Sequence, residues 1–267
     1  MWWSRARNHA RRQTPRSLPP TGRSHRSAGR ASRPRRHRRL TGIDQRRRGH
    51  RQAAPQSRAP PQEVHAYRNW TAALGAHAPE LVAVSTDQPA IVVTAYSGLQ
   101  LSEARIERSQ EVGAYRQAGE LLRQFHGAGP PWHEPDLTVW LAERGEYWLS
   151  RGLDILTAAE VADVRAHLQE LTGLGPIPPV PCHLDFMPRN LLVRPDGEVG
   201  VIDFEHSRYD LAARDLVRLA SRIWASRPDL EAAFLAGYGA LDDRDGQIIA
   251  HCTPLDSVTG FIRGAAS

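Results

Sequence analysis

Past residue 60 the chain alternates between apolar positions at helical spacing and apolar positions at strand spacing. In "PQEVHAYRNWTAALG" the residues Val64, Tyr67, Trp70 and Leu74 share one helical face, and Gly75 supplies a stop. "ELVAVSTD" and "AIVVTAYSG" predict two short buried strands around a turn at Asp87–Pro89. "RSQEVGAYRQAGELLRQFHG" predicts a long amphipathic helix ending at Gly127, and residues 131–150 are aromatic and helical in part. "TAAEVADVRAHLQELTGLG" predicts a helix with Thr157 as N-cap and Glu160 three residues on. "NLLVRPDGEVGVIDF" is a hairpin, two apolar strands flanking a Pro-Asp-Gly turn. "RDLVRLASRIW" and "PDLEAAFLAGYGAL" are helical, as is the segment from Pro254. No internal repeat is visible. The order is helix, two strands, then helices around one hairpin, which is an α+β class.

Charge divides the chain at the same place. Residues 1–60 hold 18 arginines against one acidic residue, Asp44, a formal +17. Residues 61–267 hold 17 arginines against 28 acidic residues, a formal −11. The pI near 10 therefore describes the first segment, and the body is acidic. "RPRRHRRL" and "DQRRRGHRQ" repel themselves and offer little to bury, so residues 1–60 are expected to be a disordered tail. Such an arm binds nucleic acid without sequence preference, and it lacks interleaved aromatics beyond Trp2 and Trp3. The same composition also fits a segment translated from a shifted frame or a misplaced start. Two cysteines, Cys182 and Cys252, make neither a disulfide framework nor a zinc cluster, which points to a reduced, cytoplasmic protein. No apolar run reaches the length of a membrane span.

The stretch "PCHLDFMPRNLLVRPDGEVGVIDFEHSRYDLAARDL", residues 181–216, carries the candidate chemistry. Closing the hairpin makes neighbours of Asn190, which opens its first strand, and Asp203, which ends its second. An amide and a carboxylate oxygen at one end of an apolar ribbon suit Mg²⁺, which takes few protein ligands and shares the rest with water and phosphate. Asp185 lies on the same rim, placed to accept a proton from a hydroxyl that attacks a phosphate. His183 reads as a buried imidazole that supports the loop. Arg189 reads as an exposed loop arginine, and Glu205 as surface or an outer group of the metal site.

"HLDFMPRN" followed by "VIDFE" resembles the catalytic and metal loops of the aminoglycoside phosphotransferase and choline-kinase-like family of small-molecule kinases. The resemblance extends to "SRYDLAARDL", to "AIVVTAYSGL" and to "EVHAYRNW", and it covers roughly residues 61–262. It implies a protein-kinase-like fold, with a mostly helical C-terminal lobe, a catalytic hairpin and a truncated N-terminal lobe. It also implies ATP and Mg as cofactors, Asp185 as base, and Asn190 and Asp203 as metal ligands. Backbone groups of Thr94, Ala95 and Tyr96 would contact adenine. His183 and Asp215 would be structural supports, Asp215 as cap and loop tether, and Glu63 would be the helix glutamate that pairs with a lysine. On this reading residues 1–60 are a tail, 61–98 the remnant of the N-terminal lobe and hinge, and 99–267 the catalytic lobe.

The sequence departs from that pattern at its start. It contains no lysine and no glycine hairpin ahead of Glu63, and Arg51 and Arg58 sit in a segment without strand character. Two functions follow as expectations. One is an ATP-dependent O-phosphotransferase acting on a small hydroxylated molecule, cationic if the acidic body sets the preference. The other is a catalytically impaired remnant that keeps the site without the lysine.

Overall fold

The computed structural model describes residues 49–53, 61–85, 90–130 and 136–265. Strand β3 (Ala90–Thr94) is the centre of a three-stranded antiparallel sheet, between β1 (Gly49–Ala53) and β2 (Leu81–Val84). Its β-branched run is buried at Ile91 and Val93, and a bulge lies between Leu81 and Ala83. β1 falls inside the stretch that its charge assigned to a tail, and it pairs with β3 over Gly49↔Thr94 to Ala53↔Ala90. Five residues of "GHRQA" give no apolar alternation, so nothing in the pattern announces this strand. Arg51 lies opposite Val92 in that register, while Arg58 is outside the described residues.

Helix α1 (Pro61–Asn69) is shorter than its apolar spacing predicts. It gives way to a 3-10 turn, Thr71–His77, with Gly75 at φ +54°, a conformation open to glycine. The buried stripe is Glu63, Ala66, Tyr67 and Trp70, so a carboxylate occupies one position of the apolar face. His77 donates to the carbonyl of Val199 at 2.8 Å and ties this segment to the hairpin.

The hairpin is β6 (Leu191–Val193) and β7 (Val199–Val201), with β4 (Leu99–Gln100) on its outer edge. All six residues of β6 and β7 are buried, and Gly197 at φ +88° makes the turn. Gln117 fastens it from the long helix α2 (Arg108–His126), donating to Gly197 O at 3.1 Å and accepting from Val199 N at 3.2 Å. A second ribbon, β5 (Val180–Cys182) with β8 (Arg208–Asp210), brackets the loop between them.

The rest is helical: α3 (Leu137–Arg151), α4 (Ala158–Gly173), α5 (Val217–Leu219), α6 (Pro228–Tyr238) and α7 (Asp243–Ala265). α4 starts with the predicted reciprocal cap between Thr157 and Glu160. The segment read as one helix from Arg214 is instead a 3-10 turn (Ala212–Asp215), the single turn α5, then a π turn (Ala220–Trp224). Apolar spacing does not distinguish these hydrogen-bond registers. α2 and α6 cross at two glycines. A Cβ on Gly119 would lie 2.1 Å from Phe234 O, and one on Gly237 would lie 2.1 Å from Arg116 O. Gly119→Ala is therefore expected to lower the unfolding free energy by about 1–3 kcal/mol. Gly113→Ala on the same helix, where nothing lies within 4 Å, is expected to raise it by roughly 0.5–1 kcal/mol. Urea unfolding of the two variants tests this, and equal effects would contradict the close crossing.

Candidate active site

Phe204 fixes the end of the hairpin. It is fully buried, with ring centroids 5.3 Å from Tyr67, 5.4 Å from Phe125 and 5.1 Å from His183. Burying such a ring contributes roughly 1.5–3 kcal/mol. That offsets the left-handed backbone of its neighbour Asp203, at φ +69°, and such a conformation costs about 1–3 kcal/mol for a non-glycine residue. Leu184 is the other described non-glycine residue in this region, at φ +62°. The two strained positions flank the same site.

Asp215 shapes the loop that carries Leu184. Its side chain is fully buried, and it accepts from the backbone N–H of His183 at 2.8 Å, from that of Leu184, and from His126 Nε2 at 3.0 Å. Burial alone would raise its pKa; hydrogen bonds from His126 and His183 reverse this and hold it below the usual carboxylate value. His126 faces the Tyr238 hydroxyl through Nδ1 at 2.8 Å. His126, Cys182 and Asp215 place ligand atoms within 4.8 Å of one another. Burial pushes the Cys182 thiol up, and the Asp215 oxygens are already taken, so this cluster is a tether.

His183 is buried, and both ring nitrogens are used. Nε2 donates to Ile202 O at 3.0 Å, and Nδ1 accepts from Asp185 N at 3.3 Å. Burial lowers its pKa, so the neutral imidazole is the form that fits. The ring thereby joins the loop at 183–185 to the strand end at 202–203. A second tie runs from Ile202 N to Asn190 O at 3.0 Å.

These ties bring Asp185, Asn190 and Asp203 to one rim. Asn190 donates through Nδ2 to the Asp185 backbone carbonyl at 2.9 Å and to Asp185 Oδ2 at 2.8 Å. Asp185 also accepts from Arg189 at 2.6 Å and from Arg218 at 2.8 Å. Arg189, read as an exposed loop arginine, is exposed, and its guanidinium is turned onto Asp185. Arg218, 33 residues away, gave no sequence signal and bridges on to Asp256 at 2.9 Å.

Asp203 Oδ1 and Glu63 Oε1 are buried with no hydrogen-bond partner. Burial, then the charges of Asp203 and Glu205, push Glu63 from an ordinary 4.5 up to about 7. Burial, then the charges of Glu63 and Asp203, raise the Tyr67 pKa as well. Hard oxygen donors left over around converging carboxylates fit a divalent cation such as Mg²⁺. Among the described residues no cation pairs with Glu63. At the end of β3, Thr94 N–H donates to Glu80 O at 2.9 Å, which leaves Ala95 and Tyr96 as the backbone free of that sheet bond. The Tyr96 ring lies against Gly200, where a Cβ would sit 2.2 Å away, and Arg194 covers it at 4.4 Å.

The model of the phosphotransferase enzyme family matches residues 28–247. The chain belongs to that family. The match begins inside the arginine-rich stretch, ahead of the boundary drawn at residue 60. Spectinomycin phosphotransferase, solved with AMP, has a TM-score of 0.60 at 14% identity, covering 83% of this chain and 79% of that one. Choline kinase LicA from Streptococcus pneumoniae has 0.59 at 14%, covering 84% and 81%. An aminoglycoside phosphotransferase from Streptomyces rimosus, solved with ADP and streptomycin, has 0.54 at 19%, covering 79% and 86%. At these identities the likeness establishes the fold, which is α+β and protein-kinase-like, as the motifs implied. No curated protein matches the chain significantly. No helix of the described residues is long and apolar enough to cross a membrane.

Two predictions follow from the geometry of this phosphotransferase-family site. Asp215→Ala leaves the buried N–H groups of His183 and Leu184 and the Nε2 of His126 without their partner, and it is expected to cost about 3–5 kcal/mol in chemical denaturation. For Glu63, the neutral acid is the favoured folded form. Its contribution is intact below pH 4.5 and is lost as pH rises through about 7. In metal-free buffer Glu63→Gln should therefore match the wild type near pH 5 and melt higher above pH 7. A wild type that melts higher than Glu63→Gln at pH 8 would show that a cation already pairs with Glu63.

Proposed function

We propose that this chain is an ATP-dependent O-phosphotransferase acting on a small hydroxylated molecule. The observation that carries the reading is the frame of hydrogen bonds that holds Asp185, Asn190 and Asp203 on one rim at the end of a buried hairpin. Asp203 and the free Oδ1 of Asn190 would hold Mg²⁺, which neutralises phosphate charge when bound. Backbone groups at Ala95 and Tyr96 would receive adenine, with Thr94 contributing at most its carbonyl. Asp185 accepts the proton of the acceptor hydroxyl while that oxygen bonds to the terminal phosphorus and the bond to the ADP oxygen breaks. Four donor contacts from Arg189, Arg218 and Asn190 fill the Asp185 carboxylate, so the acceptor hydroxyl must displace one. Arg189, about half exposed, is the donor best placed to leave.

β1 with residues 61–98 forms the nucleotide side on this reading, and residues 99–267 the catalytic and acceptor side. The arginines before residue 60 would hold nucleic acid only non-specifically, and the protein would work in the cytoplasm. One observation favours the impaired alternative, the Glu63 carboxylate without a cation among the described residues. A thermal-shift titration with Mg-ATP, beside Asp203→Ala, separates the two. A ligand that binds only the folded state adds about 2.7 kcal/mol at a hundredfold excess over its Kd. A magnesium-dependent shift that Asp203→Ala abolishes supports the phosphotransferase. The absence of any shift at millimolar nucleotide supports the remnant.

A further inference from the structure

Beside Asp185 opens a cleft of about 110 Å³, bordered also by Arg144, Arg214, Arg218 and Arg263. Pockets for drug-sized ligands run to roughly 300–1,000 Å³, so this smaller cleft suits a short chain or a single ring. Its charge runs opposite to that of the acidic body. Three aspartates in this region are each shared between two arginines: Asp185 by Arg189 and Arg218, Asp210 by Arg208 and Arg214, Asp256 by Arg218 and Arg222. Those carboxylates are consumed inside the protein and have little left for a cationic guest.

Arg144 adds a charge with no carboxylate of its own. Among the described residues it makes no hydrogen bond or ion pair, and its guanidinium lies over the Trp140 ring at 5.4 Å. Arg208 covers the same ring at 5.3 Å, and Arg263 lies over Trp148 at 4.9 Å. Partial burial, then the like charges of Arg208, Arg214 and Arg263, lower the Arg144 pKa. Like charges gathered at the mouth of a cleft repel one another and any cation that enters. A guanidinium is a planar fork, and one that lies over an indole without a carboxylate partner keeps N–H groups for a two-point contact with a carboxylate or phosphate.

We propose that the acceptor carries an anionic group, a carboxylate or a phosphate, seated on Arg144 and Arg263 with its hydroxyl turned to Asp185. That this anion belongs to the acceptor rests on the phosphotransferase reading; the anion site itself does not. The balance is local, and it replaces the expectation of a cationic acceptor drawn from the charge of the whole body.

The test separates binding from transfer. Isothermal titration of the full chain, without nucleotide and at constant ionic strength, uses D-glycerate, glycerol 3-phosphate, glycerol and choline. The two anions are expected to bind at least tenfold more tightly than glycerol, with choline weakest, and the tighter anion identifies the group. Arg144→Gln should lose at least tenfold of that binding, whereas Arg165→Gln, an exposed arginine paired with Glu146, should keep it. If Arg144→Gln does not fold, Arg263→Gln carries the same expectation. Choline binding as tightly as the anions, or anion binding indifferent to both cleft substitutions, overturns the proposal. Anion binding without any consumption of Mg-ATP leaves the anion site standing and sinks the phosphotransferase reading instead.

Discussion

The Asp215 carboxylate is the constraint on which the site depends. A fully buried charge is tolerated only where donors surround it, and here they come from the backbone of His183 and Leu184 and from His126. Satisfying that charge bends the chain into the loop that presents Asp185 and forces Leu184 into a left-handed backbone. His183 then transmits the position of the loop to Ile202, and Phe204 locks the far side. The result is a rim whose acidic groups are set by packing and hydrogen bonds well away from them.

Much of this rim was legible in the sequence because its parts are local. A period-2 apolar pattern with a Pro-Asp-Gly turn defines a hairpin, and a hairpin makes neighbours of Asn190 and Asp203. Its supports were not legible. Gln117 and His77 fasten the hairpin from about 80 and 120 residues away, and His126 reaches Asp215 across 89. Nothing in the local pattern marks a glutamine or histidine for such a contact. Likewise, an apolar stripe does not show that one of its members is a carboxylate facing other carboxylates, as Glu63 does.

Whole-chain charge says little about local charge. The basic N-terminal segment hid β1, and the acidic body gives no sign of the arginines that line the cleft beside Asp185. Both have one cause. Net charge sums over surface that is mostly in water and screened within about 8–10 Å, whereas recognition depends on which charges are left over after internal pairing. In a chain with no lysine, that remainder includes Arg144, a planar fork over the Trp140 ring rather than a mobile ammonium ion.

Tyr96 joins two parts of the chain that lie about 100 residues apart. The ring is wedged between Gly200 and Arg194, so the segment after β3 is bolted to the same hairpin that ends in Asp203. The end of the first sheet and the end of the hairpin therefore move as one body. On the proposed reading, the nucleotide edge and the metal edge would keep their spacing whatever the acceptor, because the cleft residues of α3 and α7 belong to other elements.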